Sequence, residues 1–413
     1  MPITEAQKRT LSLLLPNAVA TRDLIVPRGN LPEQLHAEIV SGDSVKILVA
    51  GQRGMGKTTQ LLRLVKDLAG SEFLPLFLQF GAQGSITEAG LLFSMAQTLD
   101  KSPKCKLETR DFKHLLEWYD QETFESVFEE GIGGEAGIGG ELLILRAKGR
   151  IKHARNTKTT RVRKVKRDVR ELLERFNLLL EKVTNTSKKR PVFIVDDIDK
   201  VQDASSIENT FIHAAHFVGQ INCPCIFTVP ITYATSSYLR IASLPYTGMY
   251  RVPAVALRNP AGKRNELDLQ FMRKVFELRM PYNPVPSALL DRILEYSGGV
   301  LIDAMRMLRG ICKAKILNAS IDVDESLIEG QFQLLVDDYK FAFDRPLLWK
   351  KLSAICRARD KRVIMTDDSL PELLYKMIVI EYSDCGLWFD LHPAARHLYE
   401  QNSDLIEDVL NKQ

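Results

Sequence analysis

Long apolar runs are missing from this 413-residue sequence. No stretch approaches the roughly 18 apolar residues that a membrane span needs, which excludes a helix of that kind. The start, "MPITEAQKRTLSLLLPNAV", holds only the short run "LSLLL" and no small-residue cleavage site, so it does not read as a secretory leader. Cysteine is scarce and scattered: of six, only Cys223 and Cys225 are close, and no His or Cys stands around them at a metal-ligand spacing. That pattern argues against a disulfide framework and predicts reduced, buried thiols in a cytoplasmic protein. Internal repeats are absent as well.

Charge is present but unevenly spread. The net charge is +4, yet residues 146–170, "RAKGRIKHARNTKTTRVRKVKRDVR", hold twelve Lys/Arg and one acid, a local charge of +11 that leaves −7 for the remainder. A glycine run, "GIGGEAGIGG" (131–140), precedes this stretch. It lacks the G-K-[ST] ending of a phosphate loop and is not read as one.

Elsewhere the pattern alternates. "SVKILVA" (44–50) reads as a buried strand, "TTQLLRLVKDLAG" as a helix, "LPLFLQF" (74–80) as a strand and "ITEAGLLFSMAQTL" (86–99) as a helix. This is the order of a parallel sheet covered on both faces. The pattern breaks between 106 and 190, where a charged segment, the glycine run, the basic stretch and an amphipathic helix near 166–184 read as an insertion. Sheet-like runs resume at "PVFIVDD" and "PCIFTVPIT" and end after "MYRVPAVAL" (249–257). The expected division is an N-terminal helical segment (1–43), an α/β core (44–260) carrying the insertion, a helical lid (261–330) and a C-terminal module (331–413). In the last, "MIVIEY-SDCG-LWFDLH" reads as a hairpin after helices, which fits a winged helix.

One motif carries definite chemistry. "GQRGMGKTT" (51–59) matches G-x-x-x-x-G-K-[ST] through Gly51, Gly56, Lys57 and Thr58, between a predicted strand and a predicted helix. The loop Gly51, Gln52, Arg53, Gly54, Met55, Gly56 wraps phosphate oxygens with its N–H groups, and Lys57, Thr58 and Thr59 open a helix whose N-terminal end favours anions. Lys57 supplies a cation for the β- and γ-phosphates, and the Thr58 hydroxyl is a ligand for Mg²⁺. Such a site needs a carboxylate from the end of a neighbouring strand. In "VFIVDDIDK", Asp196 is the candidate on the metal side, and Asp197 the candidate to orient or deprotonate the attacking water.

These two motifs, with a helical lid and a terminal winged helix, resemble the AAA+/STAND superfamily of P-loop ATPases, in its prokaryotic STAND-type and origin-recognition-like members. The resemblance implies ATP as the nucleotide with Mg²⁺. Many AAA+ enzymes carry Asp-Glu at the second motif; Asp-Asp followed by Ile-Asp is the form common in STAND switches. It also implies a γ-phosphate sensor at Thr228 or Thr232, a second sensor at Arg306 or Arg309, an arginine finger at Arg240 or Arg251, and a nucleotide contact from His392. An oligomer or hetero-complex follows, as does a slow ATPase switch acting with separate effector proteins in bacterial antiviral defence.

The basic stretch leaves three readings open: nucleic-acid phosphate contacts through Arg161, Arg163, Lys164, Lys166 and Arg167, docking of an acidic partner, or a solvated face. It lacks interleaved aromatics, which weakens the case for base stacking. The competing function is accordingly a DNA-binding AAA+ loader or transposition regulator. Its wing should then be basic, whereas "MIVIEYSDCGLWFDLH" is neutral to acidic.

Overall fold

The computed structural model describes residues 3–16, 22–81, 84–112, 169–235, 245–341, 370–383 and 386–402, with single residues 115, 352 and 355. Both the glycine run and the basic stretch lie outside the described residues. The chain divides into two compact units, one of residues 30–50 and 60–250, the other of residues 1–29, 51–59 and 251–413. The first 29 residues therefore go with the C-terminal half, while α2 (Leu31–Ser41) goes with the sheet.

Among the described residues, the sheet unit holds five strands in the order β2-β3-β4-β1-β5. They are β1 (Lys46–Ala50), β2 (Phe73–Gln79), β3 (Arg190–Asp196), β4 (Cys225–Val229) and β5 (Gly248–Arg251). β1 and β4 are buried at every residue and β3 at all but its first, the near-continuous apolar runs of parallel strands covered on both faces. β1 pairs with β4, β4 with β3 and β3 with β2, each in parallel. β5 ends at Arg251, earlier than the apolar run to 257 predicts. Pro253 has no N–H to give a ladder, and the N–H of Ala254 donates instead to the Glu381 carbonyl.

The helices of this unit follow their apolar periodicity. α3 (Lys57–Ala69) buries Leu61, Leu64 and Leu68, and α4 (Glu88–Lys101) buries ten of its fourteen residues. α5 (Val169–Ser187) is the amphipathic helix at the end of the expected insertion. It belongs to the core: Leu172, Phe176, Leu179, Leu180 and Val183 face α4 and β3, with Phe176 against Phe193 at 6.2 Å between ring centroids. At the start of β1 the Lys46 side chain is 1% exposed. Its ammonium donates to the carbonyls of Ser44, Ile221 and Cys223 at 2.5, 2.8 and 3.0 Å, which satisfies all three of its donors.

The second unit is mostly helical. α1 (Glu5–Leu13) packs on the long helix Leu301–Leu317. Thr10 donates to the Tyr282 carbonyl and accepts from its N–H, at 3.2 and 2.9 Å. The lid helices are α6 (Glu266–Arg279), α7 (Ser287–Tyr296) and α8 (Leu301–Leu317), followed by α9 (Glu325–Lys340). The C-terminal module then runs α10 (Leu370–Tyr375), an antiparallel hairpin of β6 (Val379–Ser383) and β7 (Leu387–Leu391), and α11 (Pro393–Gln401). The architecture is thus the expected α/β P-loop sheet, a helical set and a helix–hairpin module of winged-helix type.

Because α5 closes one face of the sheet through Phe176, Phe176→Ala should cost about 3–4 kcal/mol. A lowered urea midpoint with an unchanged slope is the expected observation.

Candidate nucleotide site

β1 ends at Ala50 and the motif follows without a gap. Gly54 and Gly56 take φ of +77° and +88°, left-handed conformations that glycine adopts without strain. Gly54 lies where the motif leaves residue type free, so its need for glycine comes from the conformation and not from the motif. A β-carbon there would also come within 2.4 Å of Ile302, and one at Gly51 within 2.7 Å of the Val252 carbonyl. The loop is therefore closely covered by residues 252 and 302.

Lys57 is 7% exposed, and its ammonium donates to the Gly51 and Gln52 carbonyls at 2.8 and 3.0 Å. The cation is held inside the curl of the loop. Thr58 and Thr59 are half-buried in the first turn of α3. Gln52 is 3% exposed; its side chain turns away from the loop and bonds to the C-terminal module. Arg53 is exposed and reaches the Tyr375 ring, 5.4 Å from its centroid. Met55 is buried.

Strand order determines what lies beside the end of β1. Val49 is in register with Thr228 of β4, and Val195 of β3 with Phe227. Thr228 and Asp196 are each one residue beyond the Val195–Phe227 pair, so both stand at the C-terminal edge of the strands where α/β folds bind ligands. The Thr228 hydroxyl is fully buried and has no hydrogen-bond partner among the described residues. An orphaned buried hydroxyl is costly unless a ligand meets it.

Asp196 is 1% exposed and one of its oxygens accepts the Asp197 N–H at 2.9 Å. Asp197 has φ +69°, an uncommon conformation for a non-glycine residue, and it opens a 3₁₀ turn over Ile198–Lys200. Its carboxylate is paired with Lys200 at 2.7 Å. Asp196, Asp197 and Asp199 can each offer an oxygen, all within 4.8 Å of one another. This hard-oxygen set fits Mg²⁺, with Asp196 as the buried carboxylate that would hold it.

Several expected side chains have other partners in the structure. Thr232 lies on the short helix Ile231–Thr235 after β4. Arg251 pairs with Glu381, whose carboxyl is pushed up by burial and drawn back by that guanidinium. Arg306 is half-exposed and pairs with Asp303 at 3.3 Å, while Arg309 donates to the Leu11 carbonyl at 3.2 Å. His392 is fully buried. Its Nδ1 accepts the Ala394 N–H, so Nε2 carries the proton, and Nε2 faces the Ser297 carbonyl at 3.1 Å and Asp303 at 3.4 Å. The ring stacks on Tyr339 at 4.5 Å. Arg240, Arg161, Arg163, Lys164, Lys166 and Arg167 lie outside the described residues.

Sequence reasoning passed over the side-chain role of Gln52 and the ion pair of Lys200. The first sits at a position the motif leaves free, and the second depends on a backbone turn that no spacing rule announces.

Residues 31–221 match the KAP family P-loop domain. That match covers 191 of the 413 residues. The span of that KAP match runs from α2 through β1, the phosphate loop, β3 and the three aspartates to the segment before β4. No curated protein matches the sequence. Among solved structures, the chain is similar to the Aeropyrum pernix ORC2 protein, at 13% identity and TM-score 0.45, over 97% of this chain and 98% of that one. It is also similar to the ORC1 protein of the same organism, solved in complex with DNA, at 14% identity and TM-score 0.42, over 97% and 98%. A Pyrococcus horikoshii STAND protein with a tetratricopeptide repeat sensor matches at 11% identity and TM-score 0.33, over 95% of this chain and 45% of that one.

Lys57→Ala removes the one cation inside the loop and should abolish nucleotide binding, read by fluorescence titration with a labelled ADP. Asp196→Asn should weaken the Mg²⁺ dependence of that binding while leaving the metal-free affinity near wild type.

Proposed function

We propose that this chain is an ATP-binding, slowly hydrolysing switch of the STAND-like kind that works with separate effector proteins. The observation that carries the reading is the state of Asp197. A carboxylate that draws a proton from water needs a free oxygen facing it. The Asp197 backbone is turned into the left-handed region, and Lys200 engages one of its oxygens at 2.7 Å. A restrained candidate base favours holding nucleotide over rapid turnover. Asp also reaches one methylene less far than the Glu of faster relatives.

Lys57 and Thr58 would grip the phosphates, Asp196 would hold Mg²⁺, and the orphaned Thr228 hydroxyl would meet the terminal phosphate. Bound Mg²⁺ supplies neutralising charge at the β- and γ-oxygens. Arg306 and His392 are proposed to engage nucleotide only after leaving Asp303, which both of them contact. The antiviral setting comes from the resemblance to STAND proteins. In the described wing, Glu381 is buried and Asp390 is paired with Arg396, so the hairpin presents no row of basic side chains for DNA.

Steady-state turnover tests the switch. The wild-type rate should fall below about 1 s⁻¹, and tens per second would overturn the reading. Asp197→Asn should lower kcat by about 100-fold with binding retained. Lys200→Met should raise kcat and leave KM unchanged. Filter binding to duplex DNA at two salt concentrations checks the competing function: tight, steeply salt-dependent, ATP-linked binding would favour a DNA-acting ATPase.

A further inference from the structure

The Gln52 side chain makes three hydrogen bonds, and all of them go to the C-terminal module. Nε2 donates to the Leu374 carbonyl at 2.8 Å and to the Val379 carbonyl at 2.7 Å; Oε1 accepts the Glu381 N–H at 2.9 Å. Both donors meet carbonyls and the acceptor meets an N–H, which fixes the orientation of the amide. Val379 and Glu381 are two apart on β6, so their C=O and N–H lie on the same edge of the strand. Ala254 continues along that edge, donating to the Glu381 carbonyl. The Gln52 amide thus fills the place of a peptide group in a β-ladder, and it joins the phosphate loop to the hairpin as a neighbouring strand would.

The main chain of the same residue faces the phosphate site. The Gln52 carbonyl, with that of Gly51, receives the Lys57 ammonium. Position 52 therefore has its side chain fixed by the hairpin and its carbonyl fixing Lys57. At 3% exposure there is no water to replace lost partners, so losing the amide would leave two carbonyls and an N–H of the module unsatisfied. Arg53 on Tyr375 adds a second, exposed tie to the same module.

We propose that Gln52 is the positioning residue through which the β6–β7 hairpin holds the phosphate loop in its nucleotide-binding shape, so that nucleotide affinity and hairpin stability rise together. This rests on the nucleotide-binding reading above. By linkage, nucleotide must stabilise the hairpin by the same factor by which the hairpin tightens nucleotide.

The test combines labelled-ADP titration with amide hydrogen exchange over residues 379–391, on wild type, Gln52→Met and Gln52→Glu. Met keeps the volume and removes every hydrogen bond; Glu keeps the acceptor and removes both donors. Both variants should bind at least tenfold more weakly. Nucleotide should slow hairpin exchange in wild type and have little effect on it in Gln52→Met. Wild-type affinity in Gln52→Met, or equal protection of the hairpin in that variant, overturns the proposal. Should neither variant fold, wild type alone decides: bound nucleotide with no protection at 379–391 overturns it, and protection there supports it. A wild type that binds no nucleotide overturns the underlying site as well, a separate and recognisable failure.

Discussion

The parallel pairing of β1 with β4, and of β4 with β3, is the constraint on which the site depends. Parallel strands all end at the same edge, so residues far apart in sequence arrive there together. Ala50, Thr228 and Asp196 are the products of that geometry. A one-residue slip of β4 would turn Thr228 to the other face of the sheet and leave its buried hydroxyl elsewhere. The apolar character of β1, β3 and β4 gives the register its energy, and the polar residues at their ends use the result.

Within the other unit the polar groups are treated differently. Asp303 is nearly buried and touches Arg306, Tyr339 and His392 at once. Burial raises the Tyr339 hydroxyl well above its ordinary range, so it stays a donor to that carboxylate. This cluster joins the lid helix α8 to α9 and α11 through one carboxyl group. It is a compact junction of hydrogen bonds in an otherwise apolar setting, and such junctions favour one packing arrangement over its neighbours.

Much of this was legible in the sequence, for identifiable reasons. The phosphate loop was readable because phosphate chemistry demands Gly, Lys and Thr at fixed spacing. Asp196 was readable because an apolar run of strand length precedes it. The hairpin was readable from two short strands around a glycine. The amphipathic helix α5 was recognised as a helix, but its place against β3 was not, because the long charged stretch before it looked like one continuous insertion. Gln52 was opaque for a different reason. Its partners are backbone groups of residues 374–381, and backbone groups leave no mark in the identity of the residues that carry them.

That last feature has a consequence for synthesis. The partners of Gln52 lie 322 to 329 residues further along the chain. At about 5–20 residues per second, a ribosome needs roughly 16–65 s to make them. For that time the nascent chain has a phosphate loop without its side-chain anchor, even if the strands around it have paired. Mature nucleotide affinity would then be a property acquired only once residues 374–381 have been made, which would keep a shorter nascent chain from loading early.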